Sequence, residues 1–186
     1  CIRRSSGRRL DRPVLNLGFS GNGKMDAAVG SLLTEVDAAV YVIDCLPNMG
    51  AADVTAKCAP LVRQLREARP ATPIVLVEDR RNTNSWILPD RNKHHDANHA
   101  ALKAVYELLV KEGVKGLFYI DGDHLYGDDT EQRRDADALD RKRRKLGIRE
   151  ALEEAVVGSL QRGKTVRPFV GYHVRPGRVR SSLGPV

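Results

Sequence analysis

The segment Val40-Tyr41-Val42-Ile43-Asp44-Cys45-Leu46-Pro47-Asn48 decides which fold this chain is predicted to adopt. It begins with an unbroken apolar run rich in β-branched residues, which is typical of a strand buried on both faces of a parallel sheet. The run then changes at once to a carboxylate, a thiol, a proline and an amide. This change predicts that the strand ends at Asp44 and that a polar loop begins there, at one edge of a sheet.

Three other segments have the same apolar character, and the complete set of predicted strands is Val14–Leu17, Ala38–Asp44, Ile74–Glu78 and Leu117–Ile120. Stretches with helical spacing of apolar residues lie between them, at Met25–Val36, Ala51–Ala68 and Ala97–Glu112. Strands that alternate with helices indicate βαβ units, a mainly parallel sheet and helices on both of its faces. Ligands of such sheets bind beyond the carboxyl ends of the strands, so the loops after the strands are where a site is expected.

Charge is distributed unevenly along the 186 residues. The formal net charge is +7, but residues 1–130 hold 17 basic and 17 acidic side chains, whereas residues 131–186 hold 14 and 7. We therefore predict a basic arm (1–12), an α/β domain (13–130), a helix (131–157) and a basic tail rich in Arg, Gly and Pro (158–186). An anionic partner such as nucleic acid would have to bind the ends of the chain and not the domain.

Membrane insertion and export are not indicated by the sequence. No apolar run is long enough to span a bilayer, and the first residues lack the apolar stretch of a signal peptide. We expect no membrane partner and, by default, a cytoplasmic location. The chain begins with Cys1, however, so the localisation stays unknown if the natural start lies upstream.

Two predicted loops carry groups that suit catalysis. The turn Gly18-Phe19-Ser20-Gly21-Asn22-Gly23 follows the first strand, and glycine lets backbone amides approach a ligand closely. Its spacing matches neither a phosphate-binding loop nor a dinucleotide fingerprint, so a purely structural turn is the local alternative. Asn48, after the second strand, can donate to a developing oxyanion, or can simply be a turn residue beside Pro47. We predict that Cys45 is a small core residue.

Three blocks of sequence together resemble the SGNH (GDSL-type) hydrolase superfamily, and more narrowly its bacterial esterases. They are Arg8-Arg9-Leu10-Asp11-Arg12-Pro13-Val14-Leu15-Asn16-Leu17-Gly18-Phe19-Ser20-Gly21-Asn22-Gly23, Tyr41-Val42-Ile43-Asp44-Cys45-Leu46-Pro47-Asn48-Met49 and Pro73-Ile74-Val75-Leu76-Val77-Glu78-Asp79-Arg80. The resemblance implies a three-layer α/β/α fold with a flavodoxin-like parallel sheet, here lacking its first strand. It also implies that residues 13–130 are a partial hydrolase domain.

The same resemblance implies a catalytic mechanism and two site residues. Members of the superfamily hydrolyse esters with a serine nucleophile, a histidine base and an aspartate shortly before that histidine. Their oxyanion hole uses the amide of the serine, a glycine amide and an asparagine side chain. Matched block by block, the glycine falls on Gly21 and the asparagine on Asn48.

The nucleophile of this family lies in a Gly-Asp-Ser or Gly-Thr-Ser motif just after the first strand. Neither sequence occurs in this chain. Ser5 and Ser6 have no apolar strand before them, and Ser20 is a residue of the glycine-rich turn, so we assign none of the three as the nucleophile. Without an activated hydroxyl, covalent acyl transfer by this route has no first step.

The closing motif of the family, Asp-x-x-His-Pro, is also missing. Asp121-Gly122-Asp123-His124 has the right spacing, but Leu125 follows in place of proline. Asp121 and His124 are therefore only weak candidates for the catalytic pair. We expect that a fragment, a deletion or a frame change explains the loss of both blocks.

Three histidines at 94, 95 and 99 raise the question of a metal site, since His95 and His99 are one helical turn apart and Asp96 is adjacent. The charged and polar residues around them favour a solvated helix start instead. We predict no metal site and no cofactor.

The leading functional hypothesis is a serine ester hydrolase of SGNH type, acting on a small or carbohydrate acyl ester, and inactive because the nucleophile and histidine blocks are missing. The alternative is a non-catalytic α/β binding protein whose basic tail binds anions or nucleic acid, although the tail has few aromatic residues for base stacking. A cysteine enzyme that uses Cys45 is a third hypothesis, and it requires a thiol with a lowered pKa. The oligomeric state and the acyl and alcohol specificity are not predicted.

Overall fold

The structure is a computed structural model that describes residues 13–17, 19–79, 89–122 and 169–173. The strands in these ranges are β1 (Val14–Asn16), β2 (Val40–Asp44), β3 (Ile74–Val77), β4 (Leu117–Ile120) and β5 (Phe169–His173). The α-helices are α1 (Ala27–Glu35), α2 (Ala51–Ala68) and α3 (Pro89–Lys111). Two short 3₁₀ turns, Phe19–Gly21 and Leu46–Asn48, follow β1 and β2.

The five described strands form one sheet in the order β1-β5-β2-β3-β4, and every neighbouring pair is parallel. A flavodoxin-like sheet has the order 2-1-3-4-5, with the first strand of the chain between the second and the third. The present order matches that arrangement if β5 stands in the place of the first strand. The predicted parallel α/β fold is therefore confirmed, and its four predicted strands all form. The three described helices pack on one face of the sheet, so the predicted helix layer on the other face has no counterpart among the described elements.

The strand β5 was not predicted. It lies inside the segment 158–186, whose Arg, Gly and Pro content indicates a tail, yet residues 169–173 pair with β1 on one side and with β2 on the other. The register places Gly171 beside Asn16 and Val42. A five-residue strand is too short to give a periodic signal of its own. In a flavodoxin-like sheet without its first strand, the two strands that would flank it each have backbone N–H and C=O groups that need hydrogen-bond partners.

The hydrophobic core lies between one face of the sheet and the three helices. Tyr41 and Ile43 of β2 and Leu76 of β3 point to this face and are fully buried. They pack against apolar residues of all three helices, among them Leu33, Val62 and Leu102. Residues of β2 and β3 that alternate with these are buried as well, namely Val40, Val42, Val75 and Val77. The continuous apolar runs of the two strands follow from this burial on both faces.

Helix α3 begins at Pro89, eight residues before the predicted start at Ala97. Proline at a first helical position and an acidic residue in the first turn are ordinary signals for a helix start. The helical spacing of apolar residues does not extend to this part, because its inward positions are not apolar. His95 and His99 continue the buried stripe of Leu102 toward the helix start, so histidines replace the aliphatic residues there.

Within the described ranges, no helix combines the length and the apolar character needed to cross a membrane.

The position of β5 gives the first prediction. Val170 has Leu15 of β1 and Tyr41 of β2 as its neighbours. Val170→Pro removes a backbone N–H from the middle of the sheet and should lower the free energy of unfolding by about 1–3 kcal/mol, as measured by urea denaturation. Val170→Ile keeps the N–H and a β-branched side chain and should leave stability nearly unchanged. Equal stability of the proline variant and the unaltered chain would show that residues 169–173 are not a central strand.

Candidate functional site

The carboxyl ends of all five described strands lie at the same edge of the sheet, because every pair is parallel. The segments that follow β1, β2, β3 and β4 therefore come together there. They contribute the glycine-rich turn, the Asn48 turn, a pair of carboxylates and Gly122. This edge is the place where a ligand of such a fold is expected.

The turn after β1 is held in a conformation that few side chains adopt. Gly21 has φ +98°, and two non-glycine residues of the same segment, Phe19 and Met25, have φ 42° and 56°. Left-handed conformations of this kind cost free energy for residues with a Cβ atom, and they persist where the surrounding structure holds them. Met25 is buried, and the Asn22 N–H donates to the Phe19 carbonyl at 3.0 Å.

Asn48 connects this turn to the loop after β2. Its Nδ2 donates to the carbonyl of Gly23 at 3.2 Å, two residues beyond Gly21. Its own backbone N–H donates to the Cys45 carbonyl at 3.0 Å, which closes the 3₁₀ turn that positions the side chain. The two residues that sequence similarity assigned to an oxyanion hole thus lie in two contacting loops, at one edge of the sheet.

Cys45 lies in the core and does not face the site. Its side chain is fully buried, and burial together with the nearby Asp44 carboxylate raises the pKa of the thiol well above its usual value. The thiolate, which is the nucleophilic form, is therefore disfavoured. The cysteine-enzyme hypothesis required the opposite shift and is wrong, whereas the interpretation of Cys45 as a core residue agrees with the structure.

A cluster of ionisable side chains lies next to the Asn48 loop. Glu78 and Asp79 follow β3, and both are buried, with 5% and 3% of their surface exposed. Two histidines of α3 meet Asp79: His95 Nδ1 is 2.6 Å from Oδ2, and His99 Nε2 is 2.7 Å from Oδ1. Both imidazoles are themselves buried. We refer to Glu78, Asp79, His95 and His99 as the carboxylate–histidine cluster.

Glu78 is fixed from three directions. Its Oε1 accepts a hydrogen bond from the Tyr119 hydroxyl, and its Oε2 accepts one from the Gly122 N–H at 2.6 Å. His99 Nδ1 is 3.2 Å from the same Oε2 atom. A Cβ atom on Gly122 would lie 2.1 Å from the Asp79 carbonyl oxygen, so only glycine allows the segment after β4 to close over the cluster in this way.

The cluster changes the ionisation of two of its members. For His99, burial disfavours the charged imidazolium, but the hydrogen bond to Asp79 and the charges of Glu78 and Asp79 outweigh it and raise its pKa. Burial, followed by the hydrogen bond to Glu78, raises the pKa of Tyr119. Tyr119 therefore acts as a neutral donor, and His99 can hold a positive charge between two carboxylates.

Asn98 joins the cluster to the loop that carries Asn48. It lies on α3 between the two buried histidines and is 1% exposed. Its Nδ2 donates to the Met49 carbonyl at 2.9 Å and is 3.2 Å from His94 Nε2. The residue next to Asn48 is thereby fixed to the helix that positions His95 and His99.

Comparison with known proteins decides the family. Residues 5–141 match the model of the GDSL-like lipase/acylhydrolase family, which is well over half of the chain. The chain belongs to this family. The SGNH (GDSL-type) resemblance found in the sequence is therefore confirmed, whereas a search of curated proteins gave no match.

Two solved structures share the GDSL-like fold of this chain. One is the crystal structure of a protein classed as a GDSL-like lipase from Bacteroides ovatus ATCC 8483, with a TM-score of 0.69 and 27% identity, covering 76% of this chain and 43% of the other. The second is the salicylyl-acyltransferase SsfX3 from a tetracycline biosynthetic pathway, with a TM-score of 0.69 and 21% identity, covering 84% of this chain and 49% of the other. The second likeness supports the fold alone. The chain spans less than half the length of either structure.

The other residues considered for this GDSL-like site have different outcomes. Asp121 follows β4 and is exposed, while His124, its predicted partner, lies outside the described residues, as do Ser5 and Ser6. Ser20 lies in the turn after β1. We assign no catalytic role to any of these residues.

The solvated helix start predicted for the histidines holds for only one of them. His94 is exposed, but His95 and His99 are buried against Glu78 and Asp79. Sequence reasoning missed this pairing because it looked for a carboxylate nearby in the chain, at Asp96, which is exposed. The sequence signal that could have predicted the pairing was the position of Glu78 and Asp79 at the end of a buried strand, together with two histidines four residues apart on the next helix.

Burial of the thiols gives the second prediction. In the folded protein, iodoacetamide at neutral pH should modify Cys45 and Cys58 far more slowly than in urea, because burial raises both thiol pKa values, that of Cys58 to about 12. Peptide mapping by mass spectrometry reports the two sites separately, and the sample in urea is the unfolded control. Rapid native labelling of Cys45 would contradict its buried position.

Proposed function

We propose that this chain carries the oxyanion-binding part of an ester hydrolase of the GDSL-like family, with Gly21 and Asn48 as the donors. The observation that supports the proposal best is the 3.2 Å hydrogen bond from Asn48 to Gly23, which joins the two loops at the carboxyl edge of the sheet. Membership of the family supports acyl-ester chemistry.

Both proposed donors suit the chemistry of ester cleavage. Attack on an ester carbonyl produces a tetrahedral intermediate with a negative oxygen, and preorganised N–H groups stabilise that charge most effectively. The Asn48 amide donates without carrying a charge of its own, and the half-buried turn around it limits its motion. Gly21 presents its backbone with open space where a Cβ atom would stand, so an acyl group can approach it.

We further propose that the substrate is a small or carbohydrate acyl ester, and that this chain alone does not hydrolyse it. The sequence contains no Gly-Asp-Ser, Gly-Thr-Ser or Asp-x-x-His-Pro motif, so the nucleophile and the base of the family have no counterpart in it. Transfer of the acyl group to an alcohol other than water would use the same oxyanion donors, so the proposal covers both reactions.

Inactivity of the chain is the third prediction. Purified protein should release p-nitrophenol from p-nitrophenyl acetate no faster than a heat-treated sample, because an oxyanion hole without a nucleophile lacks the first step. A triple variant, Ser5→Ala with Ser6→Ala and Ser20→Ala, serves as the matched control and should behave identically. Turnover that survives purification and disappears in the triple variant would overturn the prediction.

The fourth prediction concerns the role of Asn48, and its test begins with the nucleotide sequence around the gene. If upstream codons encode a strand ending in Gly-Asp-Ser, and a neighbouring stretch or frame encodes Asp-x-x-His-Pro, the protein extended by those codons should hydrolyse the ester. Asn48→Ala in that protein should lower kcat by about 10²–10³-fold, as expected for loss of one oxyanion donor.

Gln64→Ala is a suitable control for that experiment. Gln64 also carries a side-chain amide, which donates to Ser31 Oγ at 3.0 Å. It lies 13 residues into α2 from Ala51, about 20 Å along the helix from the sheet edge. Its replacement should leave kcat unchanged. Equal kcat for the Asn48→Ala and unaltered proteins would remove Asn48 from the oxyanion hole.

The alternative hypothesis, an α/β binding protein with a basic tail, stays a prediction. It requires sequence-selective binding of RNA or DNA by residues 158–186, measured at more than one salt concentration, since salt-sensitive binding to any polyanion would follow from charge alone.

A further inference from the structure

The carboxylate–histidine cluster brings together side chains that can bind a metal ion. Asp79, His95 and His99 each present one ligand-type atom, and the three atoms lie within 4.8 Å of one another among the described residues. All three side chains are buried. Buried charges are costly unless they are paired or bind a metal ion, so a cation held by these three groups would be stabilised by the buried Asp79 carboxylate.

The orientation of His99 identifies where that cation would lie. Its Nδ1 faces Glu78 Oε2 at 3.2 Å, while its Nε2 faces Asp79 Oδ1 at 2.7 Å. Nε2 also lies 2.9 Å from the Asp79 carbonyl oxygen, so without a metal ion it donates a proton to Asp79. A metal ion that displaced this proton would keep a positive charge between the imidazole and the carboxylate.

We propose that Asp79, His95 and His99 form a binding site for one divalent transition-metal ion of the zinc class. Imidazole nitrogen and carboxylate oxygen are ligands that Zn²⁺ prefers, and three protein ligands leave a fourth position open for water or another small ligand. Two histidines four residues apart on one helix face, with a carboxylate from the facing sheet edge, supply these ligands from two rigid elements.

Glu78 has the role of a positioning residue in this site. A metal-ligating histidine commonly donates its other ring N–H to a carboxylate, which fixes the tautomer and the direction of the ring. Glu78 Oε2 lies 3.2 Å from His99 Nδ1, within reach of such a proton when the ion binds Nε2, and Glu78 is itself held by the Tyr119 hydroxyl and the Gly122 N–H.

Binding requires only a small rearrangement. Tetrahedral ligands at 2.0–2.1 Å from zinc are about 3.4 Å apart, so the 2.6 and 2.7 Å contacts of Asp79 must open by roughly 0.7 Å. Rotation of the histidine side chains about their χ angles can supply this movement without displacing α3. The ion would replace protons, so binding should release protons to the buffer.

The proposal is tested by metal titration of the purified chain, and this is the fifth prediction. After treatment with a chelator and removal of that chelator, calorimetry with Zn²⁺ should show one ion bound per chain, and Co²⁺ should give visible absorption bands typical of tetrahedral coordination. His99→Gln and Asp79→Asn should weaken Zn²⁺ binding by more than about 100-fold, and Glu78→Gln by about 10–100-fold.

His94→Gln is the matched control, because His94 lies on the same helix but is exposed and outside the cluster. It should bind Zn²⁺ as the unaltered chain does. Circular dichroism and urea midpoints in chelator show whether each variant folds, and Zn²⁺ should raise the thermal midpoint only of the chains that keep the three ligands.

Two results would overturn the proposal: failure of the folded, unaltered chain to bind Zn²⁺, or equal binding by the folded His99→Gln and Asp79→Asn variants. Loss of binding in His94→Gln alone would also overturn it, since the ion would then lie elsewhere. The site does not depend on the proposed ester chemistry, and none of these measurements reads turnover.

Discussion

Burial of two adjacent carboxylates at the end of β3 is the constraint that organises one side of this protein. Glu78 and Asp79 leave water almost completely, and an unpaired buried charge would cost several kcal/mol. Neighbouring elements each supply a donor: Tyr119 and Gly122 from β4 and the segment after it, and the histidines from α3. The start of α3 is therefore positioned by electrostatics, whereas its later turns are positioned by aliphatic packing on the core.

The same constraint extends to the proposed oxyanion donors through a short chain of contacts. Asn98, which lies between the two buried histidines of α3, donates to Met49 at 2.9 Å, and Asn48, the preceding residue, donates to Gly23 at 3.2 Å. Each step is a single hydrogen bond, and it adds to the direct packing of α2 on α3.

The parts of the fold and of the candidate site that could be predicted are those with a local signal in the sequence. Apolar runs specify β2 and β3 directly, and the similarity of two loops to the GDSL-like family places Gly21 and Asn48 correctly at one edge. The cluster could not be found this way, because Asp79 and His95 are 16 residues apart in sequence and meet only after α3 folds back onto the sheet. Histidine at a core-facing position also looks like a solvated residue when hydrophobic spacing is the only criterion.

The strand β5 shows the limit of local signals most clearly, since its position follows from the rest of the sheet. Its neighbours β1 and β2 each present a row of N–H and C=O groups on the side that the other does not reach, and those groups need partners. In a flavodoxin-like sheet the first strand of the chain provides them. One position between β1 and β2 holds one strand at a time. In this chain residues 169–173 occupy that position and supply the missing partners, which no local pattern in the sequence of β5 indicates.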